Sequence, residues 1–249
     1  MTVFYFTATG NCLAVAKQIG GNLISIPQVI DSEELNFKDD IIGIVFPVFW
    51  WNMPVIIRRF LEKAKLEADY IFAIGTHGGA PGGAMDTLQE LASKNGYSFD
   101  YIDQLSMMDN YLPLFEMDDQ LKKLSAKDVD GNLKKIIENI EARKKIVEKS
   151  NVVIKLATKV MKRIFKPVES PAKYIVNDKC NKCGICTKVC PTKNISVTGN
   201  VTFGKNCEMC LACLHLCPEN ALHHKKQKSE KRWLNPNVSL TEIIEANNR

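Results

Sequence analysis

The sequence predicts an α/β protein in which helices cover both faces of a parallel sheet, followed by a small α+β domain rich in cysteine. Strand-like and helix-like segments alternate through the first part of the chain, as in parallel sheets. Residues 41–48 are apolar without interruption, as a central strand buried on both faces should be. Two cysteine runs of identical spacing then begin at Cys180 and Cys207.

The first strand, turn and helix form a candidate phosphate-binding loop. A short apolar run, Thr2–Phe6, precedes Thr7-Ala8-Thr9-Gly10-Asn11 and a helical pattern from Leu13 to Ile19. Free backbone N–H groups and hydroxyls at a helix N-terminus attract an anion. The turn is much shorter than a Walker loop and no G-x-G-x-x-G is present, which disfavours nucleoside triphosphates and dinucleotides. Cys12, in the first helical turn, is expected to pack rather than react.

The later strands and helices continue the alternation. Strand-like runs are Leu23–Ile26, Ile41–Val48, Tyr70–Ile74 and Phe99–Leu105, and helical patterns are Val55–Leu66 and Ala84–Lys94. In open sheets of this kind, ligands bind beyond the carboxyl ends of the strands. Three loops should therefore meet at one edge of the sheet.

The second and third of these loops suit a flat ligand. Aromatic rings can stack on it, and glycines let the backbone approach closely. A phosphate loop beside a stacking slot predicts a mononucleotide with a planar head, namely FMN. His77 either hydrogen-bonds the ligand or is an ordinary loop histidine. The predicted FMN-binding residues are Thr7, Ala8, Thr9, Gly10, Asn11, Cys12, Pro47, Val48, Phe49, Trp50, Trp51, Asn52, Thr76, His77, Gly78, Gly79, Gly82 and Gly83.

The cysteine runs each follow C-x2-C-x2-C-x3-C-P, the spacing that ligates cubane iron–sulfur clusters. In such pairs the fourth cysteine of each run serves the other cluster. Two 4Fe-4S clusters are therefore predicted. One takes Cys180, Cys183, Cys186 and Cys217, and the other takes Cys207, Cys210, Cys213 and Cys190.

Two other uses of the cysteines are less consistent with the pattern. Zinc ribbons usually supply two C-x2-C pairs rather than a triple followed by C-P. A disulfide framework needs an oxidising compartment. Residues 1–6 read as a strand rather than a signal peptide, so we expect a cytoplasmic protein.

Charge is distributed unevenly along the 249 residues. Residues 131–166 contain eleven Lys and Arg against three Asp and Glu. This segment lacks aromatic interleaving and any known nucleic-acid motif, so nucleic acid is not expected as a partner. No apolar run approaches the roughly 18 residues that a membrane span requires.

The motifs together resemble a known family. Residues 1–110 look like a flavodoxin, whose T-x-T-G-N phosphate turn is matched by Thr7, Thr9, Gly10 and Asn11. Residues 175–224 look like a bacterial two-cluster ferredoxin, and the whole chain resembles the flavodoxin–ferredoxin fusions of anaerobic bacteria. The resemblance implies a flavodoxin-like doubly wound sheet of order 2-1-3-4-5, with the second and third loops flanking the isoalloxazine.

Four segments are expected on this basis. They are an FMN domain over residues 1–112, a helical connector over 113–170, the ferredoxin domain over 171–226 and a docking segment over 227–249. Helical patterns in the connector are Leu133–Lys149 and Val152–Phe165, and Lys166-Pro167 marks its end. The stripe of Val153, Leu156, Val160 and Ile164 is expected to pack between the domains, and a membrane-surface helix is the alternative.

The expected function is electron transfer, in which the two clusters and FMN exchange electrons with an external redox partner. No residue resembles an acid–base catalyst, so no catalytic residue is predicted. One alternative is a flavin reductase of a small acceptor such as a quinone, with His77, Asn110 or Tyr111 lining the substrate pocket. Another is a clusters-only protein whose flavodoxin domain is empty.

Overall fold

A six-stranded parallel sheet is the centre of the molecule, seen in a computed structural model that describes residues 1–164 and 170–248. Its main strands are β1 (Thr2–Tyr5), β2 (Asn22–Ser25), β4 (Ile41–Pro47), β6 (Tyr70–His77) and β7 (Tyr101–Ser106), with β8 (Ile146–Val147) at one edge. The order β2-β1-β4-β6-β7 confirms the predicted 2-1-3-4-5, and β8 extends it. β3 (Asn36–Lys38) and β5 (Lys65–Glu67) form a separate two-stranded parallel sheet.

Helices cover both faces of the sheet, and each face has its own apolar core. Phe4, Phe46 and Phe60 lie in the core that α3 and α4 cover. Val3, Val45 and Phe72 lie in the opposite core, under α1 and α6. The helices of this part are α1 (Asn11–Ile19), α2 (Ile26–Val29), α3 (Val55–Lys63), α4 (Ala84–Lys94), α5 (Met117–Leu124), α6 (Val129–Glu141) and α7 (Val152–Ile164).

The cysteine-rich part is built from two similar halves. Two antiparallel pairs of short strands and two single-turn helices make up the halves. Val189, Ala212 and Leu216 from this part join the core under α1, so the two parts of the molecule share one apolar core. The elements are β9 (Tyr174–Val176), α8 (Ile185–Lys188), β10 (Ile195–Thr198), β11 (Asn200–Phe203), α9 (Ala212–His215) and β12 (Leu222–His224).

The connector differs from the sequence prediction in two ways. The helix predicted over Leu133–Lys149 ends at Glu141, and Arg143 has a left-handed φ of 48°. The β-branched pair Ile146–Val147 then joins the free edge of β7 as the sixth strand. The predicted helix over Val152–Phe165 is described to Ile164, and Phe165, Lys166 and Pro167 lie outside the described residues.

The apolar stripe on α7 is also corrected by the structure. Val153, Leu156, Val160 and Ile164 were expected to pack between the domains, but their exposed fractions are 75%, 64%, 48% and 64%. Thr158 is the buried residue of this helix. The hydrogen bonds and ion pairs that α7 makes with α4 come from polar side chains, so the stripe is left facing water.

The C-terminal segment folds back over the phosphate turn. Helix α10 (Leu240–Asn247) begins with a capping box in which Ser239 and Glu242 bond each other's backbone N–H groups. Asn247 is fully buried, and its Nδ2 donates to the carbonyls of Thr7 (3.1 Å) and Val189 (3.2 Å). One amide thus joins the phosphate turn to the cysteine-rich part.

We expect Gly10→Ala to destabilise the protein, because the C-terminal segment packs directly against Gly10. Gly10 has φ of 96°, and an added Cβ would lie 2.9 Å from the Cβ of Asn235. The backbone strain should cost about 1–2 kcal/mol, and the clash about 1–3 kcal/mol more. Denaturant unfolding measures the sum.

Gly96→Ala is the matched control. Gly96 also has a left-handed φ, of 86°, but its Cβ would meet nothing within 4 Å. If both variants lost the same free energy of unfolding, the close packing of the C-terminal segment against Gly10 would be contradicted.

Candidate functional site

A cavity of about 300 Å³ opens at the carboxyl ends of the sheet strands. We call it the large cavity, because two smaller cavities lie among the cysteines. The loops that follow β1, β4 and β6 form most of its wall, as the order of the sheet dictates. The loop after β7 adds Met108, Asp109, Asn110 and Tyr111. The cysteine-rich part closes one side with Met209, Cys210 and Leu211.

The turn after β1 presents an unsatisfied hydroxyl. Thr7 is 1% exposed, and its Oγ1 finds no hydrogen-bond partner among the described residues. Asn110 Nδ2 donates to the Oγ1 of Thr9, so the second hydroxyl is held by the protein itself. A buried hydroxyl without a partner is costly. The turn therefore fits an acceptor such as a phosphate oxygen, placed at the N-terminus of α1.

The turn after β4 is strained. Phe49 and Asn52 exchange backbone hydrogen bonds of 2.8 and 2.9 Å across Trp50 and Trp51. Both tryptophans have left-handed φ values, 51° and 61°, in a geometry that normally selects asparagine and glycine. Strain of this kind is common at ligand sites. It sets both indoles at the cavity wall, where Trp50 meets Tyr111 edge-on with ring centroids 5.0 Å apart.

The glycine-rich loop after β6 is held by its neighbours. The Nδ1 of His77 donates to the carbonyl of Gly79, and burial lowers the pKa of His77, so its ring is neutral near pH 7. Lys127 Nζ donates to the carbonyls of Gly78 and Met107. Burial raises the pKa of Asp109, whose carboxylate lies where a Cβ on Gly78 would be. Glycine is required at that position.

The structure brings most of the predicted FMN-binding residues to the cavity wall. Those that line it are Thr7, Ala8, Thr9, Asn11, Cys12, Pro47, Val48, Phe49, Trp50, Trp51, Thr76, His77, Gly78 and Gly79. Within this set Cys12 is 1% exposed and contacts Thr76, with Sγ–Oγ1 3.2 Å. Burial raises the pKa of Cys12 to about 12.

Four predicted residues lie behind the cavity wall instead. Gly10 caps α1, and Asn52 closes the tryptophan turn. A Cβ on Gly82 would lie 2.3 Å from Trp51, so Gly82 gives the indole room. The N–H of Gly83 donates to Thr158 of α7 (2.9 Å).

Sequence reasoning left several wall residues out of the predicted set. Most of them come from segments distant in the chain, although Ala80 belongs to the third loop, Cys210 to a cysteine run, and Asn110 and Tyr111 to the alternative substrate pocket. They are Ala80, Met108, Asp109, Asn110, Tyr111, Leu114, Phe115, Met161, Met209, Cys210 and Leu211.

The eight clustered cysteines surround two smaller cavities. Cys180, Cys183, Cys186 and Cys217 line one, and Cys190, Cys207, Cys210 and Cys213 line the other. Each set thus takes three cysteines from one half and one from the other half. We call them the outer set and the inner set, since the inner set includes Cys210 of the large cavity.

The cysteine sets fit the chemistry of cubane clusters. Backbone N–H groups donate to the sulfurs of Cys190 (3.2 Å), Cys207 (3.4 Å) and Cys217 (3.3 Å). Burial and neighbouring thiolates raise the pKa of Cys210 and Cys213, and that of Cys186 to about 11. Anionic ligands in such a place need a cationic group among them.

The distances between the cysteine side chains differ for a single metal ion and for a cubane cluster. In the described parts of the chain, no three His, Cys, Asp or Glu side chains stand close enough to hold a single metal ion. A cubane spreads its iron and sulfide between the cysteine sulfurs, whereas one zinc ion draws its ligands to about 2.3 Å.

The two halves share a backbone but differ in side chains. Left-handed φ values recur at equivalent positions, in Lys182 and Met209 (61° and 56°) and in Gly184 and Leu211 (77° and 57°). We call the half that begins at Cys180 the outer half; it has lysine and glycine at these positions, and its Cys183 is exposed. The half that begins at Cys207 is the inner half; it has methionine and leucine there, which line the large cavity. The backbone conformation is thus the same in both halves, whereas the side chains at these positions are apolar in the half that meets the cavity.

Glu208, between Cys207 and Met209, fastens the inner half to α3. It is 7% exposed, and its carboxylate accepts from the N–H groups of Val55 (2.9 Å) and Ile56 (2.7 Å). These are free donors in the first turn of the helix, where negative charge is stabilised. Burial still raises the pKa of Glu208 to about 7.

A second set of buried hydrogen bonds, which we call a joint like that of Glu208, connects His215 with the phosphate turn. The Nδ1 of His215 accepts from the N–H of Trp233 (3.1 Å), so its Nε2 carries the proton and donates to the carbonyl of Asn110 (2.8 Å). Burial lowers the pKa of His215 to about 4, which keeps the ring neutral. Because Asn110 holds Thr9, the cysteine-rich part and the phosphate turn share one hydrogen-bonded chain.

One comparison with known proteins matches the cysteine-rich part. The family model of the 4Fe-4S binding domain matches residues 173–196. A search of curated proteins found no significant match.

Three solved structures are similar to part of the chain. A protein of Bacteroides uniformis described as a flavoprotein is 20% identical, with 42% of this chain and 89% of that chain covered and a TM-score of 0.34. A protein of Bacteroides eggerthii with the same description is 18% identical, with coverages of 51% and 97% and a TM-score of 0.33. The two-electron-reduced flavodoxin of Megasphaera elsdenii is 16% identical, with coverages of 51% and 98% and a TM-score of 0.27.

The strand order and the cavity at the carboxyl edge of the sheet define a flavodoxin-like domain. The segment that matches the 4Fe-4S binding domain, residues 173–196, follows it and contains the first cysteine run. The chain therefore combines a sheet of flavodoxin-like topology with a later segment that matches the model of the 4Fe-4S binding domain.

We expect Thr7→Val to weaken FMN binding without destabilising the cofactor-free protein. The substitution removes a buried hydroxyl that has no described protein partner. A hydrogen bond to a charged group contributes about 1.5–3 kcal/mol, so the FMN dissociation constant should rise about 10–100-fold. Fluorescence titration of the cofactor-free protein with FMN measures it.

Thr9→Val is the matched control. The Oγ1 of Thr9 already accepts from Asn110, so Thr9→Val, unlike Thr7→Val, should lower the free energy of unfolding. An unchanged FMN affinity in Thr7→Val would rule out the assigned phosphate contact.

Proposed function

We propose that the protein transfers electrons between two 4Fe-4S clusters and an FMN bound in the large cavity. One observation carries this proposal: Cys210 lines both the large cavity and the cavity of the inner cysteine set. When bound, the clusters exchange single electrons and FMN holds one or two. Sites that share a wall residue bring such groups close together.

The residues of the chain have distinct tasks in this proposal. Thr7 and the N-terminus of α1 hold the FMN phosphate, and Trp50 or Trp51 stacks on its ring. The outer and inner cysteine sets hold one cluster each. Met209 and Leu211 exclude water between the inner set and the large cavity, and the low polarity of such a wall tunes the potential of a cluster.

The two cysteine sets are not equivalent in this role. Cys183 of the outer set is exposed, and Lys179 and Lys182 beside it face solvent. None of the four inner-set cysteines is exposed, and this set borders the flavodoxin-like domain through Glu208 and Met209. The outer set is therefore the side at which an external redox protein exchanges electrons, and the inner set faces the flavin.

A second candidate is a flavin reductase that acts on a small acceptor. The observation in its favour is that His77, Asn110 and Tyr111 line the cavity together. Neutral His77 and partly buried Asp109 give the wall polar groups that a substrate could use. Anaerobic turnover with soluble quinones distinguishes this candidate: an enzyme shows saturation with substrate, whereas an electron carrier reacts in proportion to concentration.

Protein purified without oxygen should contain about eight iron atoms, about eight acid-labile sulfides and about one FMN per chain. Chemical analysis and denaturation of one sample measure all three. Iron and sulfide without flavin would leave a clusters-only protein. Zinc in place of iron would end the proposal.

Exchanging side chains between equivalent positions of the two halves tests the inner wall. Met209→Lys puts a charge into the wall of the large cavity, where desolvation is costly, so the FMN dissociation constant should rise about tenfold or more. Electron exchange between the clusters and FMN, followed by anaerobic stopped-flow absorbance, should slow.

Lys182→Met is the matched control at the equivalent, exposed position of the outer half. It should leave both FMN affinity and internal exchange unchanged, while iron content confirms that both variants keep their clusters. The same effect from both substitutions would contradict the assignment of inner and outer sets.

A further inference from the structure

Helix α7 packs with its polar side toward the protein. Thr158 is 3% exposed and accepts from the N–H of Gly83 (2.9 Å). Lys155 pairs with Asp86 (3.1 Å), and Lys162 donates to the Oγ1 of Thr87 (2.6 Å). These contacts all reach the first turn of α4 or the residue before it. The orientation is the reverse of that of an ordinary surface helix, which buries its apolar side.

The apolar side of α7 faces water in consequence. Isolated exposed apolar residues are common, but a contiguous apolar arc along one helix marks an interaction surface. We call this arc the α7 face. It consists of Val152, Val153, Leu156, Val160 and Ile164, with exposed fractions of 81%, 75%, 64%, 48% and 64%.

Positive charge adjoins the α7 face. Lys159 and Arg163 are exposed, and they follow Leu156 and Val160 by three residues, which places them beside the arc. The surrounding residues 131–166 contain eleven Lys and Arg against three Asp and Glu. An apolar arc flanked by lysine and arginine is the pattern of helices that lie in the headgroup region of an anionic bilayer.

We propose that the α7 face binds the surface of an anionic lipid bilayer. The helix lies in the headgroup region, and no helix in residues 1–164 or 170–248 has the length and hydropathy to cross a membrane. Pairing with a second copy is less favourable, because a symmetric contact brings the cations of both copies to one interface. The proposal does not depend on the proposed electron transfer.

The bound bilayer would adjoin the large cavity. Met161 of α7 lines that cavity, as does Leu114, which is 53% exposed. The cavity rim on this side is thus apolar and continuous with the helix that meets the lipid.

Vesicle co-sedimentation of the full-length protein, purified without oxygen, tests the proposal. The wild-type protein should sediment with phosphatidylcholine vesicles that contain phosphatidylglycerol and much less with phosphatidylcholine alone. Raising the salt from about 0.05 M to about 0.5 M should weaken binding, because screening shortens the reach of charge. Lys159→Gln with Arg163→Gln should lower the partition coefficient about 25-fold, at roughly fivefold per cation.

The apolar contribution has its own variants. Leu156→Ser with Val160→Ser should lower the partition coefficient at least about tenfold, since both side chains lose most of their transfer free energy. Ile175→Ser, at an exposed apolar residue of the ferredoxin domain, is the matched control and should bind like the wild type. Circular dichroism and iron content confirm that each variant is folded.

Two results would overturn the proposal. One is a wild-type protein that stays in the supernatant with phosphatidylglycerol vesicles at low salt. The other is a lipid-free dimer that the Leu156 and Val160 double variant converts to a monomer, because the α7 face would then be covered by a second copy. Neither readout depends on flavin reduction, so the electron-transfer proposal is tested separately.

Discussion

The position of Cys210 is the constraint on which the rest of the structure depends. This cysteine lies in the wall of the large cavity and also in the inner set, so the sheet and the cysteine-rich part meet at that residue. Three joints hold them there. Glu208 caps α3, His215 reaches the phosphate turn through Asn110, and Asn247 joins that turn to Val189. Each joint uses a buried polar group with fitted partners, which defines one relative placement of the domains.

Part of the backbone strain of the molecule lies around the same place. Trp50, Trp51, Met209 and Leu211 have left-handed φ values, and all four line the large cavity. None of these residue types favours that conformation, and each costs of the order of 1–3 kcal/mol. The shared apolar core and the joints are what hold such residues in place. Because Lys182 of the first cysteine run shares the conformation of Met209, the strain at Met209 belongs to the cysteine runs, whereas the strain at Trp50 and Trp51 belongs to the cavity wall.

Part of this was predictable because its signals are local. The alternation of strands and helices predicted a parallel sheet, and the resemblance to flavodoxins implied its strand order, which the structure confirms up to β7. The strand β8 was missed because two residues, Ile146 and Val147, carry too little periodicity to be recognised. The apolar stripe of α7 was read as a core face, since a pattern shows that one side is apolar and not which side faces the protein.

The sequence by itself determined the sheet, the phosphate turn and the two cysteine runs, because each is encoded in residues that lie next to one another. Only the tertiary structure decided that Cys210 rather than Cys183 faces the large cavity, and that α7 turns Thr158 inward. The two cysteine runs have identical spacing, so only the partners that surround each one distinguish them. Those partners, such as Val55 and Ile56 for Glu208, are more than a hundred residues away in the chain.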